Sequence, residues 1–291
     1  MERFRRSWQL AQAALRVLAA DKELLWFPVL SAIVSTIVVA IFGLLVFSVG
    51  VLVPGAAATV AQNSDGNVTT FGGIVVLFLF YLVTGFVVTF FTAGLVGAAL
   101  IRLRGGDPTF GDGMRIALAH LGPIFVYAVV AATVGVVVAL IRGRGNERSL
   151  GRSLLAGFTQ AAWNLATFLA IPVMVSKPIS ALGALKESTL LLKRTWGEQI
   201  IGATGIGLVF AIPTISLIVL GFGGAVFLFA NELAVAGLGL VVITVLLLAL
   251  LSVLQTALSG IYKAAVYLYA AEHQEAELFN PGLVRTAFNP A

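Results

Sequence analysis

Six stretches of this chain carry no Asp, Glu, Lys or Arg: Leu24 to Ser64, Gly66 to Ile101, Leu121 to Ile141, Ser153 to Ser176, Gln199 to Asn231 and Leu233 to Tyr262. Each can hold a helix of about 20 residues, the length that crosses the hydrocarbon core of a bilayer. In lipid, backbone polar groups must be satisfied within the protein, so a spanning chain is built of helices or of a closed barrel. Barrel strands alternate polar and apolar residues over about 10 positions. The run "VVITVLLLALLSVL" is apolar on every side. The chain therefore reads as all-α, a polytopic membrane helical bundle of six transmembrane helices.

Composition agrees. Apolar residues make up 59% and charged residues 11%, where a soluble domain is about a quarter charged. Cysteine is absent, which excludes a disulfide framework, a thiolate metal site and a thiol nucleophile. The net charge of +5 does not point to nucleic acid, because the Lys and Arg sit at span ends, where topology and anionic lipid headgroups account for them. The apolar run after Glu23 is far longer than the core of a signal peptide and reads as an uncleaved first span. The fifth span carries Pro213 as an expected kink, and Gly221, Gly223 and Gly224 as expected points of close helix approach. The sixth is expected to continue as helix to about Glu277.

Orientation follows from the cationic residues at span ends. With the N-terminus inside, the inner segments hold 14 of the 18 Lys and Arg. The outer ones hold Arg142, Arg144, Arg148 and Arg152. Both termini are expected to be cytoplasmic, in the cell membrane of a prokaryote. The arginine loop breaks the rule locally. It reads as a solvated loop overridden by stronger flanking signals, as the mark of a re-entrant third span, or as a patch for anionic lipid or phosphate, since Arg suits bidentate phosphate contact.

Short amphipathic segments precede the first, third and fifth spans. In the N-terminal one Phe4, Trp8, Ala11, Leu15 and Leu18 follow helical spacing, the pattern of a helix lying in the membrane interface. In the second, Phe110, Met114, Ala117, Leu118 and Leu121 form an apolar face, and Thr109 and Asp112 have capping-box spacing. In the third the face is Leu182, Leu185, Leu192 and Trp196. Pro108 and Pro178 are placed where a first helical turn accepts proline. The chain thus reads as one membrane domain, 1–271, made of three units of interface helix plus hairpin (1–105, 106–176 and 177–270), with a cytoplasmic tail at 272–291. Trp8, Trp26, Trp196, Tyr262, Tyr267 and Tyr269 fit an interfacial aromatic belt.

The succession "DKELLWFPVLSAI", "GDPTFGDGMRIALAHLGPI", "SKPISALGALKESTLLLKRTWGEQI" and "YKAAVYLYA" resembles a group of uncharacterised six-span prokaryotic membrane proteins, known only as a domain of unknown function. It is also similar to the membrane domain attached to some glycerophosphoryl diester phosphodiesterases. The resemblance reaches to about Ala271 and rests on small, apolar and helix-end residues. It implies a fold and a location. It implies no activity, because the chemistry of those fusions belongs to a separate soluble barrel.

No constellation of residues announces chemistry. The histidines His120 and His273 are far apart, and no HExxH pair, Walker loop or GxSxG elbow occurs. No metal and no cofactor is expected. Asp107 and Asp112, five apart around a glycine-rich turn, read first as a cap and a solvated turn and second as a pair that binds a cation. No Asp or Glu lies mid-span, which weighs against ion-coupled transport. The polar residues at depth are Gln160 and Asn164 on span 4, and Gln255, Ser259 and Lys263 on span 6. Each set repeats every four residues, so each shares a helix face. They read as interhelical hydrogen-bonding residues or as a polar seam lining a pathway, and Lys263 as a residue that snorkels to the interface.

The expectation is a non-enzymatic membrane component organising lipid or a partner protein. Its partners would be membrane lipids and another membrane protein or a second copy, with no nucleic acid. The alternatives are a passive channel or transporter using the seam, and, weakest, a lipid-modifying enzyme built on Glu198, His120 and Asp21.

Overall fold

Three prolines sit where helices of this chain change over. A proline lacks the N–H that would bond the carbonyl four residues back, and its ring crowds that carbonyl. Pro28 opposes Leu24, Pro123 opposes Ala119 and Pro172 opposes Phe168. The computed structural model, which describes residues 12–52, 71–143, 150–196 and 206–272, changes helix at each of the three. Residues 12–20 form helix α1, and a 3-10 turn, Lys22–Leu25, leads into α2 (Trp26–Leu52). Helix α3 spans Phe71–Leu103. Helix α4 (Phe110–Ala119) is separated from α5 (Leu121–Gly143) only by His120. Helix α6 (Leu150–Thr167) stops at a two-residue turn before α7 (Ala170–Ser176). Helices α8 (Ala181–Trp196), α9 (Ile206–Leu217), α10 (Gly223–Ala230) and α11 (Ala234–Tyr267) complete the order. A π turn, Ile218–Phe222, joins α9 to α10, and another, Leu268–Glu272, follows α11.

Every described element is thus helical. Six segments are long and apolar enough to cross a membrane: Lys22–Ser48, Gly72–Leu103, Leu121–Ile141, Leu154–Ser176, Val209–Ala230 and Ala234–Glu272. They coincide with the six expected from the uncharged runs. Helices α3 and α11, of 33 and 34 residues, are each about 50 Å long at 1.5 Å per residue. The hydrocarbon core is about 30 Å thick. Both therefore exceed the length that a crossing needs.

The chain divides into two compact units that interleave in sequence. One takes in Met1–Val29, Ala98–Phe110 and Lys193–Ala291, the other Leu30–Gly97 and Gly111–Leu192. In the first, α9, α10 and α11 form a hairpin packed on small residues. A Cβ on Gly221 would lie 2.2 Å from Oγ1 of Thr244, and one on Gly224 would lie 3.0 Å from Leu240. Gly223 opens onto empty space. Two of the three glycines singled out in the sequence are therefore contact points, and the third is not. Helix α9 runs through Pro213, and the irregularity falls after it, at the π turn. The hairpin reverses at Asn231–Leu233, where Glu232 adopts a left-handed φ of 60°. Its N–H and that of Leu233 bond back to Phe229 and Leu228.

In the second unit Tyr127, Ala170 and Ala181 are buried together, with Ala131, Trp163 and Leu185 packed on them. The break in the fourth span is held here. With Pro172 unable to bond Phe168, the chain turns, and the N–H of Leu169 donates instead to Oγ of Ser188 at 3.0 Å. Ser188 is fully buried. An ion pair from Lys177 to Glu187 ties the end of α7 to α8, and Oγ of Ser180 caps α8 by accepting from the N–H of Gly183. Pro108 and Pro178 precede the helices rather than occupying their first turns, because α4 begins at Phe110 and α8 at Ala181.

Candidate functional site

The densest polar constellation among the described residues lies in the first unit. It joins the start of α2, the end of α3, the start of α4 and the end of α11. Helix α3 stops at a glycine pair. Gly105 takes φ +86°, its N–H bonds the carbonyl of Arg102, and the N–H of Gly106 bonds that of Ile101. These are the two reversed bonds of a Schellman cap. The cap leaves Arg102 on the last turn of the helix and Asp107 on the strand of chain leaving it.

Arg102 bridges two carboxylates. Its Nε lies 3.0 Å from Oδ2 of Asp21, and one terminal nitrogen lies 3.1 Å from Oδ1 of Asp107. The Asp21 contact is an ion pair made off the N–H direction, since that oxygen has no hydrogen bond of good geometry. Asp21 is buried, whereas Asp107 is almost wholly exposed. Burial pushes the Asp21 carboxyl above the usual range. Arg102 pulls it down, and the negative charges of Asp107 and Glu23 push it up again. Two arms extend the cluster. Arg104 donates to Oε1 of Glu272 at 2.6 Å, beyond the end of α11. Oε2 of Glu23 accepts the N–H of Phe110 at 2.6 Å. A carboxylate on the first N–H groups of a helix also meets the positive end of its dipole. Beneath, the rings of Phe27 and Phe110 are 4.8 Å apart. Four carboxylates against two arginines suit the clasp to holding helix ends and not to capturing an anion.

The residues expected from sequence are distributed as follows. Gln160 and Asn164 lie on α6, in the second unit, and bond to one another: Nε2 of Gln160 donates to Oδ1 of Asn164 at 2.9 Å. Gln255, Ser259 and Lys263 lie on α11, in the first unit, each half-buried. Arg142 and Arg152 belong to the ends of α5 and α6, and Arg144 and Arg148 fall outside the described residues, as do Phe4, Trp8, Glu198 and His273. In α1 the buried positions are Ala13, Ala14, Val17 and Leu18, while Leu15 is exposed. Of the spaced apolar set, Leu18 is thus buried and Leu15 lies on the surface. Phe110 and Met114 are half-buried and Ala117 buried, but Leu118 and Leu121 are exposed. Leu185 packs inward and Leu182 outward, because the buried stripe of α8 runs through Ala181, Ala184, Ser188, Leu191 and Leu192. Trp196 is the last residue of that helix. Tyr262 and Tyr267 are buried, so they belong to the core rather than to an interfacial belt. His120 turns its Nδ1 to the carbonyl of Ile116, in the helix just before it. No three His, Asp or Glu side chains converge on a metal-sized site among the described residues.

The model of a family described as "Family of unknown function (DUF6159)" matches residues 71–277. The chain belongs to this family. The DUF6159 match runs from α3 to beyond α11, so it includes Arg102, Arg104, Asp107 and Glu272, while Asp21 and Glu23 precede it. A search of curated proteins finds no match.

Sequence reasoning assigned Arg102, Arg104 and Glu272 no role beyond charge. Asp21 and Arg102 are far apart along the chain, and no local spacing pairs them. The readable signal was the glycine pair after two arginines at the end of an apolar run, which announces a capped helix end.

Proposed function

We propose that the protein is a non-enzymatic membrane component that organises lipid, or a partner protein, at one face of the membrane through its short amphipathic helices. The single observation carrying this is the outward face of α8. Leu182 and Leu190 are exposed there beside the exposed Lys186 and Lys193. Leucines flanked by lysines on one helix face fit the headgroup boundary of an anionic bilayer, with the apolar side chains dipping in and the ammonium groups at the phosphates. Helix α4 repeats the mixture with Leu118 beside Arg115, and Leu121, the first residue of α5, adds to it. The clasp supports a common side for the helix ends it joins. It ties the start of the first candidate span to the ends of the second and the sixth, as an even number of crossings requires. The excess of Lys and Arg in the same segments makes that face cytoplasmic.

The test uses the absence of native cysteine. Leu182→Cys and Leu190→Cys are labelled with an environment-sensitive fluorophore and reconstituted in nanodiscs with and without anionic lipid. The expected result is blue-shifted emission at both positions, stronger with anionic lipid and weakened by Lys186→Glu with Lys193→Glu. Water-like emission in every disc would refute the reading.

A further inference from the structure

We infer that α6 carries a self-association surface, and that its partner is a second copy of this chain. Helix α6 opens the fourth candidate span, Leu154–Ser176. Gln160 and Asn164 lie about 9 and 15 Å along it at 1.5 Å per residue, inside a core about 30 Å thick. The hydroxyls of its threonines are satisfied within the helix, Thr159 on the carbonyl of Leu155 and Thr167 on that of Trp163. The amides are not so spent. A Gln and an Asn together offer two carbonyl oxygens and four N–H donors, and the described bond between them uses one donor and one acceptor. Asn164 is exposed and Gln160 half-exposed. Hydrocarbon offers no partner for the remaining groups, so such residues in a span face protein or water.

The same face carries small residues. Gly157 and Ala161 are both exposed and sit within about a third of a turn of Gln160 and Asn164 at 3.6 residues per turn. A Cβ on Gly157 would meet nothing within 4 Å. Four-residue spacing of small side chains lets two membrane helices approach closely.

The chemistry selects a second copy. Two copies inserted the same way are related by a two-fold axis along the membrane normal, which sets each residue of α6 opposite its own counterpart. Charged side chains cannot satisfy themselves across such an axis. Carboxylates and ammonium groups repel. An amide carries both donor and acceptor, so Gln160 and Asn164 can each bond their counterparts reciprocally, with Gly157 and Ala161 admitting the backbones.

The experiment is oxidative cross-linking of single cysteines in native membranes, with oligomer mass measured on the full chain in nanodiscs. Gly157→Cys should give a disulfide-linked product of twice the chain mass, and Ala162→Cys, exposed on another side of the helix, should not. Gln160→Leu with Asn164→Leu should weaken dimerisation at least tenfold while leaving helical content and elution of the monomer unchanged. Equal cross-linking at both positions, a dimer indifferent to the double substitution, or a monomer at every protein density would overturn the proposal. So would a Gly157→Cys cross-link of any other mass, which would assign the face to a different protein. These readouts do not involve the α8 emission measurement, so either idea can fail alone.

Discussion

Two glycines in one membrane hairpin should respond in opposite directions to the same substitution. A methyl group on Gly221 would arrive 2.2 Å from Oγ1, 2.4 Å from Cγ2 and 2.9 Å from Cβ of Thr244. Ordinary contact begins at 3.4 Å, so α11 must retreat by about an ångström, or Thr244 must leave its rotamer and its 2.7 Å bond to the carbonyl of Leu240. Overpacking of this kind costs about 1–3 kcal/mol. Alanine also returns roughly 0.5–1 kcal/mol of helix propensity over glycine. The net expectation for Gly221→Ala is a loss of about 1–2 kcal/mol. Gly223→Ala meets nothing within 4 Å, so only the propensity term acts, and the hairpin should gain up to about 1 kcal/mol. Thr244→Ala removes Oγ1 and Cγ2 and should restore part of the loss in the double variant, an interaction that a double-mutant cycle isolates. The assay is unfolding by SDS in mixed micelles, followed by circular dichroism. If Gly221→Ala is as stable as the parent, or if both alanines act alike, the packing described for this hairpin is wrong.

Other positions make equally definite demands. Arg102→Met strands the buried Asp21 carboxylate and should cost about 1–3 kcal/mol near neutral pH, less than a fully buried pair because Arg102 is partly exposed. The pH sign follows from burial raising the Asp21 pKa. The folded state then holds this proton more tightly than the unfolded chain, so ionisation lowers stability above the folded pKa, and the loss is relieved as pH falls through it. The deficit of Arg102→Met should therefore shrink on acidification, as detergent unfolding at a series of pH values would read; an unchanged deficit contradicts the clasp. Ser188→Ala leaves the buried N–H of Leu169 without its acceptor and should cost about 1–3 kcal/mol, visible as a lower melting temperature in detergent. Glu232→Gly relieves a left-handed φ of 60° and should stabilise the hairpin by about 1 kcal/mol in the same measurement.

The six spans were legible because lipid imposes one rule on composition, and long uncharged runs obey it. Gly221 and Gly224 were legible for a related reason, since glycine in an apolar helix marks close approach. The break in the fourth span was not anticipated: Pro172 cannot bond the carbonyl of Phe168, but uniform apolar character hides a turn that a buried serine elsewhere in the chain must complete. The clasp was not readable. Arg104 and Glu272 are separated by 168 positions, and only the fold makes them neighbours. The faces of the short helices were half readable. Hydrophobic spacing finds an apolar stripe, but leucine is equally at home against protein and against lipid. Leu185 and Leu182 therefore look alike in sequence and separate in structure.

The most direct test of the account is the side of the membrane on which the clasp and the fifth-to-sixth span turn lie. Glu232→Cys and Lys186→Cys, each the sole thiol in the chain, are treated in intact cells with a membrane-impermeant maleimide. The account predicts labelling of Glu232→Cys in whole cells and of Lys186→Cys only after permeabilisation, with Gly105→Cys following Lys186→Cys. Labelling of Lys186→Cys and Glu232→Cys from the same side would contradict it.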